Sequence, residues 1–548
     1  MSTIDETVTA WLAEYASATA DGAFLLCDRH PADVVAFTFV GSDLTARDLT
    51  YGEISERSRR YATVLRGMGV GQGDRVPIMM TKRPELIIAL VALWRIGAVH
   101  VPLFTAFASG AVELRVDGSA ARLVITESAH RQKFSELRDV RVLDVSELNE
   151  AADTCAPHAD SVAVGGEGTL VQLYTSGTTG KPKGVPVPLR ALASFRCYLA
   201  FSLDVQESDV YWNAADPGWA YGLYYSVIAP MAAGRRSLVF EGGFTPESTL
   251  EVMRTFGVTN FAGAPTMYRA MRKSNVGVTH SLRRASSAGE PLTPEILGWA
   301  ATQLGCEIRD HYGQTELGMV ICNHWHPAIA HPAKEGSMGR PLPGYTAGIV
   351  DGQIAINVEQ SPLLWFSGYH NAPTKTAERF TSDRAWYLTA DTGRVDTDGD
   401  FFFSARDDDV ILAAGYRIGP FDVESVLVTH ADVAEVAVVG RPDPEGIRGE
   451  VVEAFVVLDS AVVPGAALER ELQELVREKY SKHAYPRTVH FVDSLPKTPS
   501  GKIQRFLLRN GSYDRSPDAP PPAETERQPI ESDLVSTAPR VRESRTVP

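Results

Sequence analysis

The alternation of strand-like and helix-like segments is the feature that most constrains how this chain can fold. Between about residues 44 and 104 a helical pattern leads through VGQGDRV to the apolar strand VPIMM, and then to a helix after Pro84. Similar units recur at SLVFEGG, TNFAGAP and RRASSAGEPL. Strands that alternate with helices predict an α/β region built on a parallel sheet, which here extends to about residue 400.

A second, smaller unit follows the segment RDDDV. The strands VAEVAVVG, EVVEAFVVL and TVHFVD are separated by two helical segments in a compact α+β pattern. Two domains are also expected from length, because 548 residues exceed what one hydrophobic core supports. We assign residues 1–407 to a large domain of several α/β subdomains and residues 408–512 to a small C-terminal α+β domain.

The end of the chain differs in composition from both domains. After Tyr513, the last 35 residues contain seven prolines and no aromatic residue. Such a segment cannot bury enough apolar surface to offset the entropy lost on ordering. We therefore predict that residues 513–548 form a disordered tail.

Charge and cysteine content narrow the possible partners. The net charge of −15 argues against binding to nucleic acid or to an anionic membrane, because both select basic surfaces. Five scattered cysteines without a CxxC pair provide neither a disulfide framework nor a zinc site. The acidic N-terminus does not resemble a signal peptide, and the apolar run LIIALVALW is too short to cross a bilayer. We predict a cytoplasmic monomer or homodimer that acts on small molecules.

The segment YTSGTTGKPKG, residues 174–184, combines glycines, hydroxyl groups and lysines. Glycines allow the backbone to approach a ligand, while hydroxyls, N–H groups and lysines bind phosphate oxygens. It is not a Walker A loop, because Gly177 and Gly180 are three apart and Pro182 follows Lys181. A phosphate-binding loop and a polar hairpin tip both remain open at this point.

Six other segments contain unusual clusters of polar residues. Each also has a structural explanation, as a strand end, a loop, a turn, a helix entry or a solvated lysine. DTDGD resembles part of a calcium loop but lacks the bidentate glutamate, which favours a hairpin turn. The segments are SSAGEPLTP, RDHYGQTELG, WYLTADTGRVDTDGDFFFSARDDDVI, AAGYRIGPFDVE, PDPEGIRGEVV and LPKTPSGKIQR.

Together and in this order, the segments resemble the motifs of the adenylate-forming superfamily, which includes acyl-CoA synthetases, carrier-protein adenylation domains and luciferases. YGQTE, ARDDDVI, GYRIGPFDVES and PDPEGIRGEVVEAFVV are most similar to medium-chain and aromatic acyl-CoA ligases, relatives of acetyl-CoA synthetase. The resemblance extends to about residue 510. It implies that a carboxylate attacks MgATP to give an acyl-adenylate and pyrophosphate, after which coenzyme A displaces AMP.

The resemblance assigns roles to individual residues of the nucleotide site. Lys502 would bridge the substrate carboxylate and the α-phosphate, and Glu316 would bind Mg²⁺. Thr315 would donate to the α-phosphate, and Asp391 would accept both ribose hydroxyls. The catalytic set is therefore Lys502, Thr315 and Glu316, and the ATP-binding set is Thr175, Ser176, Gly177, Thr178, Thr179, Gly180, Lys181, Lys183, Gly289, Glu290, Pro291, Asp310, His311, Tyr312, Gly313, Gln314, Thr315, Asp391, Arg406 and Lys502.

The same resemblance implies a mobile small domain that rotates about Asp408 between the two half-reactions. Coenzyme A would then contact residues of that domain, and the acyl group would lie in the large domain. The CoA-binding set is Ala414, Gly415, Tyr416, Arg417, Arg448, Arg477 and Tyr485, and the acyl-pocket set is Trp219, Tyr221, Ala288 and Gly313.

Some positions depart from the family pattern. Val187 replaces a histidine that commonly follows the phosphate loop, and Ala414 replaces a serine of many relatives. Acetyl-CoA synthetases carry a tryptophan where this chain has Gly313, so we expect an open pocket floor and a preference for acids of about four to eight carbons or a small aromatic acid. Delivery of the acyl group to a carrier-protein thiol or another nucleophile, and a catalytically silent nucleotide sensor, are the alternative functions.

Overall fold

The computed structural model describes residues 3–158, 160–175, 182–274, 282–290, 292, 294–406, 409–413, 416–444, 450–459, 462–481, 483–497 and 503–511. The strands are β1 (Val35–Val40), β2 (Ala46–Thr50), β3 (Arg75–Met79), β4 (Val99–Pro102), β5 (Leu123–Thr126), β6 (Arg141–Asp144), β7 (Thr169–Thr175), β8 (Lys183–Pro188), β9 (Tyr211–Asn213), β10 (Ser237–Phe240), β11 (Asn260–Gly263), β12 (Arg284–Ala288), β13 (Ile308–Gln314), β14 (Gly318–Cys322), β15 (Ser337–Pro341), β16 (Ala347–Val350), β17 (Gln353–Asn357), β18 (Trp386–Val395), β19 (Phe401–Arg406), β20 (Ile411–Ala413), β21 (Tyr416–Ile418), β22 (Val433–Pro442), β23 (Glu450–Leu458) and β24 (Thr488–Phe491).

The α-helices are α1 (Thr3–Tyr15), α2 (Tyr51–Gly67), α3 (Pro84–Arg95), α4 (Ser109–Ser119), α5 (Val145–Thr154), α6 (Ala191–Cys197), α7 (Ala220–Gly222), α8 (Ala229–Ala233), α9 (Pro246–Phe256), α10 (Pro265–Lys273), α11 (Pro294–Gln303), α12 (Pro373–Ala377), α13 (Pro420–Leu427), α14 (Ala466–Lys479) and α15 (Arg505–Arg509). π-Helical turns occupy Phe24–Asp28, Tyr198–Ser202 and Leu223–Ile228, and a 3₁₀ helix occupies Ser128–Phe134.

The first sheet of the large domain has six strands in the order β6-β5-β3-β4-β7-β8. Its strands are parallel except for β8, which forms a hairpin with β7. Helix α3 begins with Pro84 at its first turn, where the missing N–H costs no hydrogen bond, and nearly every residue of the helix is buried. The predicted unit of strand, buried helix and parallel strand is confirmed.

The second sheet has thirteen strands, in the order β16-β17-β18-β19-β15-β14-β13-β12-β11-β9-β10-β1-β2. The pairs from β1 through β10, β9, β11 and β12 to β13 are parallel, and antiparallel pairs lie at both ends. One hydrophobic core includes residues of both sheets, among them Ile78, Leu173, Val320 and Ile354. The sheets therefore pack as one body.

The small domain has its own sheet, in which β22 and β23 are antiparallel and β24 runs parallel to β23. Its core contains Val423, Leu427, Val438, Val452 and Leu472, from the sheet and from helices α13 and α14. The predicted fold class, a large α/β domain followed by a small α+β domain, is confirmed. The boundary at residues 407 and 408 and the tail from 513 lie outside the described residues and stay predictions.

None of the helices in the described ranges has the length and apolar character that crossing a bilayer requires.

Candidate active site

The candidate site lies where the parallel strands β12 and β13 end. The register places Ser287 beside Asp310 and Ala288 beside His311, so that Gly289 and the chain after it continue at the same edge. Ligands of α/β proteins bind at the carboxyl ends of the strands. The predicted segments AGE and DHYGQTE are thus neighbours, although residues 291–309 separate them in the sequence.

Asp310 occupies an unusual environment for a carboxyl group. The backbone N–H groups of Leu292 and His311 donate to its two oxygens at 3.3 and 3.1 Å. Burial raises the pKa of Asp310 to about 8, despite the opposing effect of these two hydrogen bonds. A carboxyl group that is largely protonated at pH 7 can donate a hydrogen bond as well as accept one.

A second carboxylate, Asp391, is held by side chains of the YGQTE segment. Tyr312 Oη donates to Asp391 Oδ2 at 2.5 Å, and Gln314 Nε2 donates to the same oxygen at 2.6 Å. Gln314 Nε2 also donates to the Thr389 carbonyl at 2.8 Å. Strand β18 bulges here, and Ala390 takes the left-handed φ of +59° that the turn toward Asp391 requires. Charge-assisted hydrogen bonds fix this carboxylate before any ligand binds.

Glu316 is held in a similar way by residues outside the predicted motifs. Tyr369 Oη donates to Glu316 Oε1 at 2.7 Å, and Arg379 Nε donates to Tyr369 Oη at 2.9 Å. Burial and the Glu316 charge raise the pKa of Tyr369, so its hydroxyl keeps the proton that it donates. A nearly buried carboxylate is the hard oxygen ligand that Mg²⁺ prefers, and Glu316 fits the predicted metal role.

The phosphate-loop hairpin ends beside this carboxylate. Thr175 faces Lys183 in the β7–β8 register, and Lys183 Nζ lies 4.6 Å from the centre of the Tyr369 ring. Burial, reinforced by Arg379, lowers the pKa of Lys183. Thr175 Oγ1 is buried and has no hydrogen-bond partner among the described residues. A polar atom left in that state suits a site that receives phosphate oxygens.

The remaining polar positions of the site have mixed surroundings. Tyr224 Oη donates to the Thr315 carbonyl at 3.0 Å, and Glu290 pairs with Arg269 at 3.0 Å. Arg406 lies opposite Asp391 in the register of β18 and β19. The side chains of Arg406, Tyr416 and Arg417 are not described. The other predicted site residues outside the described ranges are Ser176, Gly177, Thr178, Thr179, Gly180, Lys181, Pro291, Asp408, Ala414, Gly415, Arg448 and Lys502.

The open floor expected at Gly313 stays a prediction, and the surroundings of this glycine in the structure bear on it. Gly313 pairs with Met319 across β13 and β14, where the register shifts at a bulge. A Cβ atom at residue 313 would lie 2.1 Å from the Gly318 carbonyl oxygen and 2.6 Å from Met319 Sδ. Any side chain at residue 313 would therefore have to displace strand β14, so Gly313→Trp would test more than the filling of a pocket.

Trp219 and Tyr221, predicted to close the acyl pocket together, face different neighbours. The Trp219 ring lies 5.3 Å from the rings of both Phe104 and Phe107. The Tyr221 hydroxyl lies 3.0 Å from the Tyr198 hydroxyl, and Tyr221 packs against a different hydrophobic cluster from Trp219. Ala288, the remaining predicted pocket residue, is buried at the end of β12.

In the small domain the structure brings two predicted CoA residues together. The Arg477 guanidinium lies 3.8 Å above the Tyr485 ring, and Arg487 stacks at 4.2 Å from the same ring. Arg477 also pairs with Glu474 at 2.9 Å. Two guanidinium groups on one partly exposed ring form a compact basic surface, to which Arg487 was not assigned from sequence.

The DTDGD segment is the turn between β18 and β19. Lys334 Nζ lies 2.7, 2.6 and 3.1 Å from carboxylate oxygens of Asp396, Asp398 and Asp400. These hydrogen bonds raise the pKa of Lys334 and lower the pKa of Asp396 to about 2. Lys334 offsets part of the charge of this carboxylate cluster, and β18 and β19 pair as an antiparallel hairpin, which agrees with the turn favoured over a calcium loop.

The hydrogen bond from Tyr369 to Glu316 can be tested by a single substitution. We expect Tyr369→Phe to raise the Mg²⁺ concentration for half-maximal activity about tenfold, because residues that orient a metal ligand typically contribute 10- to 100-fold. Pyrophosphate release measured over a range of Mg²⁺ concentrations tests this. Tyr61→Phe is the matched control, since Tyr61 is also buried and donates to Asn149, far from the site. Equal Mg²⁺ dependence in wild type and Tyr369→Phe would contradict the assignment.

Comparison with known proteins identifies the family of this chain. Residues 26–373 match the family model described as AMP-binding enzyme, and residues 422–502 match the AMP-binding enzyme C-terminal domain. Acetyl-coenzyme A synthetase of Bacillus subtilis is 37% identical over 492 residues, covering 84% of this chain and 84% of that protein.

Solved structures show the same similarity. The acyl-CoA synthetase of Brucella canis is 39% identical, covers 93% of this chain and 97% of its own, and superposes with a TM-score of 0.72. ATP-bound MatB from Rhodopseudomonas palustris is 25% identical, with a TM-score of 0.80 and coverage of 91% and 99%.

Proposed function

Because this chain belongs to the AMP-binding enzyme family and is an AMP-forming acid–thiol ligase, we propose that it joins a short-chain carboxylic acid to coenzyme A. The observation that carries the proposal is the pair of pre-positioned carboxylates at the end of β13. Tyr312 and Gln314 hold Asp391, and Tyr369 holds Glu316. A protein that only binds a nucleotide would not need both a fixed ribose acceptor and a fixed metal ligand.

Each carboxylate has a distinct task in this proposal. Asp391 accepts hydrogen bonds from the ribose hydroxyls of ATP, which a fixed bidentate acceptor does well. Glu316 holds Mg²⁺, which when bound neutralises charge on the phosphate chain. Lys183 and the hydroxyl of Thr175 contact phosphate oxygens at the base of the loop. The substrate carboxylate attacks the α-phosphate in line, and pyrophosphate leaves.

The second half-reaction uses the small domain. The thiol of coenzyme A attacks the acyl carbonyl of the acyl-adenylate, and AMP leaves with the bonding electrons. Arg477 and Arg487, stacked on Tyr485, provide positive charge that suits the phosphates of coenzyme A.

The side chains next to Gly313 support a short acid in this proposal. Met319 is buried there, and its backbone N–H donates to the Tyr225 hydroxyl at 2.7 Å, which holds strand β14 beside the Tyr225 ring. Phe195 packs on the Tyr225 ring at 5.6 Å. We take this packing as support for short acids over the longer ones that an open floor would admit.

Release of AMP over a panel of acids tests the proposed function. Acetate, propionate, butyrate, octanoate and benzoate are each incubated with ATP, Mg²⁺ and coenzyme A. We expect AMP release that depends on both the acid and coenzyme A, with the highest kcat/KM among the short acids. Pyrophosphate release without any effect of coenzyme A would favour a carrier-protein acceptor, and no acid-dependent release would indicate a silent relative.

Met319→Ala should change the preferred chain length. Removing the side chain that closes the floor makes room for extra methylene groups, each of which contributes about 0.8 kcal/mol, or about fourfold. We therefore expect the ratio of kcat/KM for butyrate to that for acetate to rise about fourfold or more. A matched control is Met338→Ala, also buried but on β15. An unchanged ratio in Met319→Ala would show that another wall limits the acid.

A further inference from the structure

A buried chain of hydrogen bonds runs from the candidate acyl site into the core. The Tyr221 hydroxyl lies 3.0 Å from the Tyr198 hydroxyl, which lies 2.7 Å from His311 Nδ1. On the far side of the imidazole, Nε2 lies 3.0 Å from the carbonyl oxygen of Asn323. Tyr198 and His311 are almost fully buried, so bulk water does not compete for these hydrogen bonds.

The carbonyl of Asn323 fixes the direction of this chain. A carbonyl oxygen only accepts, so His311 Nε2 must carry the hydrogen. Burial lowers the pKa of His311 to about 3, against the smaller opposing effect of the Asn323 carbonyl, so the ring is neutral. Its Nδ1 therefore has a lone pair and accepts from Tyr198. The reverse arrangement would set two lone pairs against each other at 2.7 Å.

Each tyrosine hydroxyl has a single hydrogen to donate, so the direction of the Tyr198–His311 bond also determines the direction of the Tyr221–Tyr198 bond. Tyr198 uses its hydrogen on His311, so the Tyr198 oxygen accepts from Tyr221. Tyr221 uses its own hydrogen in that bond, and its oxygen has only lone pairs to offer. Among the described residues, Tyr198 is the one hydrogen-bond partner of the Tyr221 hydroxyl.

The position of Tyr221 gives this acceptor a role. The residue is only partly buried, and it follows Trp219 and Ala220 in the helix-start segment assigned to the acyl pocket. Its ring packs on Tyr225, which is bonded to the Met319 backbone at the pocket floor. Tyr221 therefore brings lone pairs to the predicted acyl segment, next to the ring of Tyr225.

We propose that this enzyme selects short acids whose acyl group carries a hydrogen-bond donor, a hydroxyl or an amino group, that reaches the Tyr221 oxygen. The proposal rests on the proposed function, because it concerns the acid used in that reaction. Tyr221 is the specificity-determining residue, and Tyr198 and His311 are positioning residues that orient its lone pairs. In an acid whose acyl group carries only a hydrogen-bond acceptor at this place, the lone pairs of the acceptor would repel those of the Tyr221 oxygen.

Three sets of acids of nearly equal size test the direction of the hydrogen bond. Each set carries a hydroxyl, a fluorine or a methyl group at the same carbon. The sets are 2-hydroxypropionate, 2-fluoropropionate and isobutyrate; 3-hydroxypropionate, 3-fluoropropionate and butyrate; and 4-hydroxybutyrate, 4-fluorobutyrate and valerate. In wild type we expect kcat/KM for the hydroxy acid to exceed that for the fluoro acid about five- to tenfold in at least one set, the usual contribution of one hydrogen bond.

Two variants distinguish an effect of these hydrogen bonds on substrate choice from an effect of side-chain packing. Tyr198→Phe keeps the ring but removes the acceptor, which frees the Tyr221 hydroxyl to donate, so the hydroxy-to-fluoro ratio should fall toward one. Tyr221→Phe removes the oxygen itself, so the methyl acid of the set should become the best substrate. The matched control is Tyr268→Phe, a buried tyrosine that donates to the Ser286 carbonyl at 2.9 Å, and it should leave the ratio unchanged.

The outcomes distinguish this inference from the function on which it rests. Wild type that turns over butyrate but shows no hydroxy-to-fluoro ratio above one in any set would overturn the inference and leave the ligase function intact. An unchanged ratio in both Tyr198→Phe and Tyr221→Phe would also overturn it. Absence of acid-dependent pyrophosphate release from wild type with every acid would instead reject the proposed function. Melting curves identify a poorly folded variant. If one of the two variants is poorly folded, the hydroxy-to-fluoro ratio of the other one tests the inference.

Discussion

Lys502→Ala should lower the rate of acyl-adenylate formation about 10²- to 10³-fold, the usual contribution of one electrostatic contact to a charged transition state. The lysine is predicted to bridge the carboxylate and the α-phosphate, which otherwise repel each other. It should act only in the first half-reaction, because the small domain is expected to rotate before the thiol attacks. Thioester formation from a supplied acyl-adenylate should therefore be largely intact.

Measurements of the two half-reactions check this division. Pyrophosphate release reports the first, and thioester formation from synthetic acyl-adenylate reports the second. Lys497→Ala is the matched control from the same segment, since Lys497 Nζ pairs with Glu435 at 2.5 Å and has no predicted catalytic role. Equal loss in both half-reactions would show that Lys502 is needed throughout or for folding, and the rotation model would then lose its support.

Asp391→Asn should reduce kcat/KM for ATP about 10²-fold. Hydrogen bonds to a charged acceptor typically contribute 1.5–3 kcal/mol, and the substitution also turns one acceptor into an N–H donor. That donor would face the Tyr312 hydroxyl or Gln314 Nε2, which now donate at 2.5 and 2.6 Å. Both the ligand and the protein partners of the carboxylate would therefore be affected.

Deoxynucleotides distinguish a ribose contact from a loss of structure. Wild type should use 2′-deoxy-ATP and 3′-deoxy-ATP less well than ATP, whereas Asp391→Asn should discriminate much less among the three. Asp396→Asn, in the turn of the same hairpin and paired with Lys334, provides the control. A variant that still prefers ATP by the wild-type factor would place the ribose contact elsewhere.

Sequence motifs were sufficient to predict the large α/β domain, the small α+β domain and the meeting of Asp391 with YGQTE. Such predictions succeed when a residue type is needed for chemistry, because the requirement persists whatever packs around it. The domain limits and the roles of all the site residues stay predictions, and Lys502, Asp408 and Arg448 lie outside the described residues.

What the sequence did not reveal depends on packing between distant segments. At Gly313 the neighbouring strand bulges toward the position that a side chain would take, which no sequence pattern indicates. Tyr369 and Arg379 have no spacing that relates them to Glu316. Tyr198, which meets His311, lies where α6 continues as a π-helical turn that the sequence does not indicate. The remaining signal was the density of tyrosines in YGLYY, whose hydroxyls need buried partners.

The shared core of the two sheets has a consequence for the cost of nucleotide binding. The phosphate hairpin belongs to the six-stranded sheet, and the two carboxylates belong to the thirteen-stranded one. Since Leu173 and Val320 pack in the same core, these opposite walls are already fixed relative to each other. ATP then loses its own freedom on binding but restricts little of the large domain, so its association should be fast and accompanied by only a small change in heat capacity.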